Sequence, residues 1–266
     1  MDVQKINKQL SNSTAKWYAE LKNKDPKYSN ENEYSAPFCL GLSEKEFETP
    51  TKTIMIVGEE SNNNFLGTTT TYDQTWFIRY FDRQIHKLNQ NEFKSSNRGQ
   101  FWNFIRKLRK QTQYNICWNN IDKLHGVFIN KNGDKTTYKL QNTGENLKPH
   151  TLVNWENGVE SSLLQREIEI VKPDVIIFYG APYAETISKG LGLEDILTNL
   201  PSLKNNKDVV TTIEDIPYLN NTLVLWTSHP MALVKAKCGS LYHNALESIT
   251  EKIKEKFPED FKKRAN

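Results

Sequence analysis

Residues 53–61 read Thr53-Ile-Met-Ile-Val-Gly-Glu-Glu-Ser61, an apolar run that ends in a cluster of polar residues. Two later runs have the same form, Tyr114-Asn-Ile-Cys-Trp-Asn-Asn-Ile-Asp-Lys123 and Thr222-Leu-Val-Leu-Trp-Thr-Ser-His-Pro230. Strands this apolar are typical of a parallel sheet with helices on both faces. Such sheets bind ligands just beyond the carboxyl ends of their strands. The three runs therefore predict an α/β protein whose polar strand ends meet at one edge of the sheet.

The composition limits the classes of partner. Lys and Arg exceed Asp and Glu by three, 35 against 32, so any nucleic-acid surface must be local. The three cysteines, Cys39, Cys117 and Cys238, lie far apart and form neither a zinc-binding spacing nor a disulfide framework. No secretory signal is recognisable, and no apolar run approaches the roughly 20 residues that span a bilayer. We expect a cytoplasmic protein with no membrane association, no cofactor and no obligate protein partner.

The pattern along the chain predicts a single domain over residues 1–266. It divides into an N-terminal helical extension (1–50), loop or hairpin insertions (125–155 and 200–218) and a sheet with its helices. Predicted strands cover 53–58, 114–118, 174–180 and 223–227, and predicted helices cover 3–24, 76–88, 100–110, 161–171, 184–191 and 242–256. The expected architecture is a three-layer sandwich with a central four-stranded parallel sheet flanked by helices.

Four short motifs follow the predicted strands in order. They are Gly58-Glu59-Glu60-Ser61, Asn120-Ile121-Asp122-Lys123, the third strand with its turn (172–184) and His229-Pro230-Met231-Ala232-Leu233. Their order and spacing, over about residues 50–255, resemble those of the uracil-DNA glycosylase superfamily. The resemblance implies that superfamily's sandwich fold, hydrolysis of the bond between a base and its sugar, and DNA as the partner, either single-stranded or a duplex with one base flipped out.

The chain also departs from the common uracil-specific pattern. Glu60 and Ser61 stand where that pattern has an aspartate and a proline, which leaves both the activating carboxylate and the preferred base open. Met231 replaces the serine that usually follows His-Pro and that binds a phosphate. Three scattered cysteines exclude the iron-sulfur branch, which needs four.

The chemistry of base release selects the catalytic candidates. Positive charge builds on the sugar and negative charge on the departing base, so the site needs an anion near the sugar and donors near the base. Glu60 fits the first role, with Glu59 as the next candidate, since a carboxylate can activate water and oppose the sugar's charge. His229 fits the second role, as a donor to a base oxygen. The alternatives are a solvent-facing loop acid and a packed histidine.

Base recognition needs donors and acceptors inside a dry pocket. The Asn120 amide carries both and can pair with the edge of a pyrimidine, with Asn119 as a second candidate, although either can instead cap a turn. Gly58 belongs to the first motif and is assigned to the base pocket with it. Phe65 resembles the aromatic residue against which the extruded base stacks, and an ordinary core phenylalanine is the alternative.

DNA contacts are predicted in the loop after the fourth strand. Leu233 matches the superfamily's wedge into the space that the base leaves, although it can equally fold onto the core. Ser228 and Met231 lie beside it, and Lys235 and Lys237 follow it as candidates to neutralise phosphates. A second basic group on the helix over 100–110 is more typical of a solvated helix face; it comprises Arg106, Lys107, Arg109 and Lys110.

These observations predict a metal-independent, monofunctional DNA glycosylase that flips out uracil or a modified pyrimidine and leaves an abasic site. The long polar loop after Glu60 and the 125–155 insertion suggest, as an alternative, a bulkier modified base of foreign DNA, such as phage DNA, and a role in defence. A second alternative is a catalytically silent DNA-binding module with the same fold. A nucleotide hydrolase or transferase lacks the Gly-rich phosphate loop that it would need.

Overall fold

The computed structural model describes most of the chain. The residues described are 1–30, 33–35, 37–58, 74–86, 98–121, 123–124, 126–129, 131–133, 135–138, 152–156, 158–180, 187–188, 190–191, 209–235 and 240–262. Within these parts, no helix combines the length and the apolar character needed to cross a membrane. Cys39 and Cys117 are buried free thiols, and Cys238 lies outside the described residues.

An α/β fold is confirmed, with a five-stranded, mostly parallel sheet flanked by helices. Nine strands are described, β1 (Thr53–Gly58), β2 (Asn115–Asn120), β3 (Gly126–Ile129), β4 (Lys135–Tyr138), β5 (Val153–Asn154), β6 (Glu160–Ser161), β7 (Val175–Tyr179), β8 (Val210–Thr212) and β9 (Leu223–Thr227). The central sheet has the order β2-β1-β7-β9-β8, and β3–β4 and β5–β6 form two separate hairpins. The β3–β4 hairpin lies in the predicted 125–155 insertion.

The four predicted strands form the parallel part of the sheet, and the prediction lacked a fifth strand. Strand β8, from the segment assigned to a loop insertion (200–218), pairs antiparallel with β9 at the edge of the sheet. Two contacts extend this pairing, from the Ile213 N–H to the Val224 carbonyl at 2.8 Å and from the Thr227 hydroxyl to the Val209 carbonyl at 2.7 Å. A strand of three residues is too short to show a periodic pattern, so its partner and not its sequence defines it.

Seven α-helices are described, α1 (Val3–Lys24), α2 (Gln74–Ile85), α3 (Arg98–Thr112), α4 (Leu163–Val171), α5 (Pro230–Lys235), α6 (Ser240–Lys256) and α7 (Pro258–Lys262). A short 3-10 helix, Pro26–Ser29, follows α1. Helix α1 packs against α4, while α3 packs against α2, α5 and α6. The predicted N-terminal extension contributes to the main core, because Leu10 and Leu40 are fully buried there.

The two faces of the sheet are covered by different helices. Side chains of β2 alternate between the faces. Trp118 contacts the rings of Phe77 on α2 and Phe101 on α3, whereas Asn119 bonds Glu167 on α4. Asn120 therefore lies on the Trp118 face, beneath α2 and α3.

Candidate active site

The carboxyl ends of four neighbouring strands bring predicted site residues to one edge. Gly58 on β1 pairs in register with Asn120 on β2, and Tyr179 on β7 pairs with Thr227 on β9, directly before Ser228 and His229. Three strand spacings separate β2 from β9, a distance of about 14 Å. Asn120 and His229 therefore flank the space beyond the ends of β1 and β7.

The side chain of Asn120 is fully buried and unsatisfied. Its exposed fraction is 0%, and neither Oδ1 nor Nδ2 has a hydrogen-bond partner among the described residues. A buried polar group without a partner costs about 1–3 kcal/mol, so such groups are rare and call for a specific explanation. A ligand that supplies a donor and an acceptor would satisfy both amide atoms.

Gly58 makes room for this amide. A Cβ atom at position 58 would lie 2.8 Å from Asn120 Oδ1 and 3.7 Å from Trp118 Nε1. The first distance is too short for a carbon and an oxygen that are not bonded. The backbone of β1 thus approaches the amide as closely as only glycine allows.

His229 packs against a group of aromatic side chains. Its ring stacks on Phe101, with ring centroids 5.4 Å apart and planes 7° apart. Phe101 also meets the rings of Trp118 at 6.1 Å and Tyr179 at 6.0 Å. Pro230 begins α5, and the His229 carbonyl accepts the N–H groups of the first turn, from Ala232 at 2.8 Å and Leu233 at 3.2 Å. Phe101 therefore connects the β9 end of the site to the β2 end.

Tyr179 is a further candidate site residue, which the sequence did not indicate. It ends β7 between Gly58 and His229, and its buried hydroxyl has no hydrogen-bond partner in the described parts of the chain. Burial, and secondarily the nearby Tyr242, raises the pKa of Tyr179 well above its ordinary value. The group is therefore a neutral phenol at physiological pH, able to donate one hydrogen bond.

Asn119 faces the opposite side of the sheet from Asn120, so its assignment to the predicted base pocket is corrected. Its Nδ2 donates to Glu167 Oε2 at 2.8 Å, and its Oδ1 accepts from Lys123 Nζ at 2.5 Å. Lys123 and Glu167 form an ion pair of 2.6 Å with both side chains fully buried. The one-residue step along β2 turns Asn119 to the α4 face, away from Asn120.

Leu233 is not an exposed wedge, which is a second correction. It lies in α5 with 0% of its surface exposed and belongs to the main core. The turn of α5 after Pro230 directs Leu233 inward, in agreement with the alternative prediction that this side chain folds onto the core. Ser228 is also buried, with 5% exposed, which leaves little of it to meet a phosphate.

The structure does not describe the side chains of several predicted site residues. Glu59, Glu60, Phe65 and Lys237 lie outside the described residues. Met231 and Lys235 lie in α5, but their side chains are outside the described part. Their assigned roles stay predictions.

The two arginines of the basic group on α3 make intramolecular contacts. Arg106 donates to the Gln84 carbonyl and to Asn103 Oδ1, both at 2.5 Å. Arg109 Nε donates to Glu46 Oε1 at 2.7 Å. Glu46 also accepts the Ile116 N–H at 3.0 Å, near the start of β2. The Arg109 contact therefore lies at the opposite end of this strand from Asn120.

The motifs do not point to Glu167, although the sequence carries a signal that it is buried and paired. In α4 the buried positions are Leu163, Leu164, Glu167, Ile168 and Val171. An acid at a core position of an amphipathic helix needs a buried partner. Lys123, four residues after Asn119, is that partner.

No model of a known protein family matches this chain, and no curated protein matches it. The resemblance to the uracil-DNA glycosylase superfamily therefore stays a prediction from the order and spacing of the quoted motifs.

Proposed function

We propose that this protein is a DNA glycosylase with a uracil-DNA glycosylase-like fold, which removes a uracil or a modified pyrimidine from DNA. One observation carries the proposal, namely the fully buried Asn120 amide, which lacks a partner among the described residues and lies beside Gly58 at the carboxyl edge of the sheet. An amide with a free donor and a free acceptor matches the paired donor and acceptor on a pyrimidine edge.

The arrangement of the edge supports a flipped base as the ligand. The bond to be broken is inaccessible in a stacked duplex, so the base must enter a pocket, with a loss of a few kcal/mol of stacking and pairing. Asn120 would read its edge at one side. His229, which follows β9 on the far side of β1 and β7, would donate to a base oxygen at the other.

The reaction is a hydrolysis that needs no cofactor. The oxygen of water forms a bond to the sugar C1′ while the bond from C1′ to the base nitrogen breaks, and the electron pair of that bond leaves with the base. The departing base takes up a proton, and the DNA keeps an abasic site. Glu60, two residues after Gly58, is the proposed group that accepts the proton from water.

The test is a base-release screen with a matched pair of variants. Oligonucleotides that contain uracil, hypoxanthine, 5-hydroxymethylcytosine or glucosylated 5-hydroxymethylcytosine are incubated with the protein, and abasic sites are detected by alkaline cleavage. We expect release from at least one substrate and a single-turnover rate about 10²- to 10³-fold lower in Asn120→Ala. Release from glucosylated cytosine would identify the bulky-base alternative.

Asn115→Ala is the control. Asn115 is also buried on β2, but it donates to the Thr49 carbonyl at 3.0 Å, at the other end of the strand. Its truncation should lower stability and leave the rate of base release unchanged. Binding of DNA without release of any base would favour the silent binding module, and equal rates in both variants would remove Asn120 from the mechanism.

A further inference from the structure

We infer that Glu167 and Lys123 are positioning residues that act through Asn119 to fix the Asn120 amide for base recognition. The inference deepens the proposed function and rests on it. It assigns a role to a buried ion pair that lies on the α4 face of the sheet, outside the base pocket.

The three side chains form a closed ring of hydrogen bonds. Lys123 Nζ donates to Asn119 Oδ1 at 2.5 Å and to Glu167 Oε2 at 2.6 Å, and Asn119 Nδ2 donates to the same Glu167 oxygen at 2.8 Å. All three residues are 0–1% exposed. In a dry environment each contact is stronger than in water, so the ring holds Asn119 in one orientation.

The ring reaches the candidate site through a contact with the backbone of Asn120. Asn119 Oδ1, besides Lys123, accepts the backbone N–H of Asn120 at 2.8 Å. Immediately after it, the Ile121 N–H donates to the Gly58 carbonyl at 2.9 Å. The backbone on both sides of the Asn120 side chain is therefore tied down, on one side to the ring and on the other to β1.

The same group anchors the chain beyond the strand. The Lys123 carbonyl accepts the Phe38 N–H at 2.6 Å, and its ammonium lies 5.2 Å from the centre of the Phe38 ring. Phe38 in turn contacts Trp118, whose Nε1 is near Gly58. The Asn120 amide, which makes no hydrogen bond of its own to the described residues, thus depends on its neighbours for orientation.

Stability alone is a weak reason for such a group. A buried ion pair is often no more stabilising than apolar side chains of the same size, because two charges must leave water. Glu167 Oε1 also has no hydrogen-bond partner among the described residues, so the group is not arranged for full satisfaction. Fixing the geometry of Asn120 is a function that an apolar pair could not perform.

The test uses two variants and one control. Glu167→Gln removes the negative charge of the ring and leaves Lys123 without its ion-pair partner. The double variant Lys123→Met/Glu167→Gln removes both charges and leaves no isolated buried ion, so it should fold even where the single variant does not. Glu46→Gln is the control, since Glu46 is another buried acid that is paired with an arginine and bonded to β2 at the opposite end of the strand.

The first readout does not depend on activity. The side-chain amide signals of Asn120 in a nitrogen–proton NMR spectrum are assigned by their loss in Asn120→Ala. We expect these signals to shift or broaden in the two ring variants and to stay in place in Glu46→Gln. Unchanged Asn120 signals in the folded ring variants would overturn the inference, whatever the protein's activity.

The second readout is a double-mutant cycle on single-turnover base release. We expect a fall of about 10²-fold in the ring variants, with no further fall when they are combined with Asn120→Ala. Independent, additive losses would overturn the inference. If the wild-type protein releases no base, the proposed function fails while the NMR result still decides whether the ring positions Asn120.

Discussion

Gly58 and Asn120 show how one missing side chain allows another to be placed. A methyl group at position 58 would meet the end of the Asn120 amide at 2.8 Å, with no backbone atom closer than 3.9 Å. The amide can rotate away more easily than the strand can move. The close approach therefore matters more for the direction of the amide than for the stability of the fold.

Gly58→Ala should consequently impair base release more than stability. We expect a fall of about 10²-fold in the single-turnover rate, as for an active-site group displaced by about 1 Å. The free energy of unfolding in urea should fall by no more than about 1–3 kcal/mol, the range for an overpacked site.

Gly41→Ala is the matched control for this substitution. Its new methyl group would lie 2.7 Å from Ile78 Cγ1, a side chain of α2. It should lower stability by a similar amount and leave base release intact. An active, merely destabilised Gly58→Ala protein would contradict the proposed role of the close approach.

Elements with continuous apolar runs were predictable, and those defined by a partner were not. Strands β1 and β9 begin and end where the sequence predicts, because Ile54–Val57 and Leu223–Trp226 are apolar without interruption. Strand β2 runs two residues past its predicted end, since β1 continues to Gly58 and pairs with Asn120. The sequence alone could not choose between Asn119 and Asn120, because that choice depends on which face each residue occupies.

Helix α5 provides a test of the corrected role of Leu233. Truncating a fully buried leucine lowers the free energy of unfolding by about 2–5 kcal/mol, through lost burial and the cavity that remains. We expect Leu233→Ala to show this loss in thermal or urea unfolding. Its base release, measured below the unfolding transition, should stay within a few-fold of wild type on single strands and duplexes alike.

Leu246→Ala is the comparison for Leu233→Ala. Leu246 is 4% exposed on α6 and belongs to the same core, so its truncation should cost a similar amount of stability. If the Leu233→Ala protein kept wild-type stability but lost activity on duplex DNA alone, the predicted role of Leu233 as a wedge would be supported after all.

Folding brings distant segments of the chain together at the carboxyl edge of the sheet. Only some of the residues at this edge can be predicted from the sequence. Strand ends predicted that Gly58, Asn120 and His229 share this edge, since parallel strands end together. Phe101 and Tyr179 could not be found in that way, because they join the edge through ring contacts, of Phe101 on α3 with Tyr179 on β7 and with His229 after β9. A periodic sequence pattern predicts which aromatic side chains are buried, but it does not predict which of them contact each other.

The opposite end of the sheet sets a pH dependence of stability for the protein. His86 Nε2 lies 3.4 Å from Glu46 Oε2 and 3.7 Å from Asp82 Oδ1. Burial nevertheless lowers the pKa of His86 below its ordinary value of 6.5, and the charges of Lys45 and Arg109 lower it further, against Asp82. Burial also raises the pKa of Glu46, although Arg109 and the Ile116 N–H oppose this rise.

The sign of the His86 effect follows from its lowered pKa. Below pH 6.5 the unfolded chain takes up a proton on His86 that the folded protein resists, so stability falls as the pH falls from 6.5 toward the folded pKa. The Glu46 carboxyl acts in the opposite sense above its ordinary value of 4.5, because the folded state holds its proton more tightly. Comparison with a His86 variant separates the two contributions.

We therefore expect His86→Gln to flatten the decline of stability between pH 7 and pH 5, as measured by urea unfolding at each pH. The stability difference between His86→Gln and wild type should shift in favour of the variant as the pH falls through 6.5. His243→Gln, at an exposed position of α6, controls for the loss of a histidine as such. A stability difference between wild type and His86→Gln that stays constant across this range would show that the two carboxylates fully offset burial, so that His86 is protonated as readily in the folded protein as in the unfolded chain.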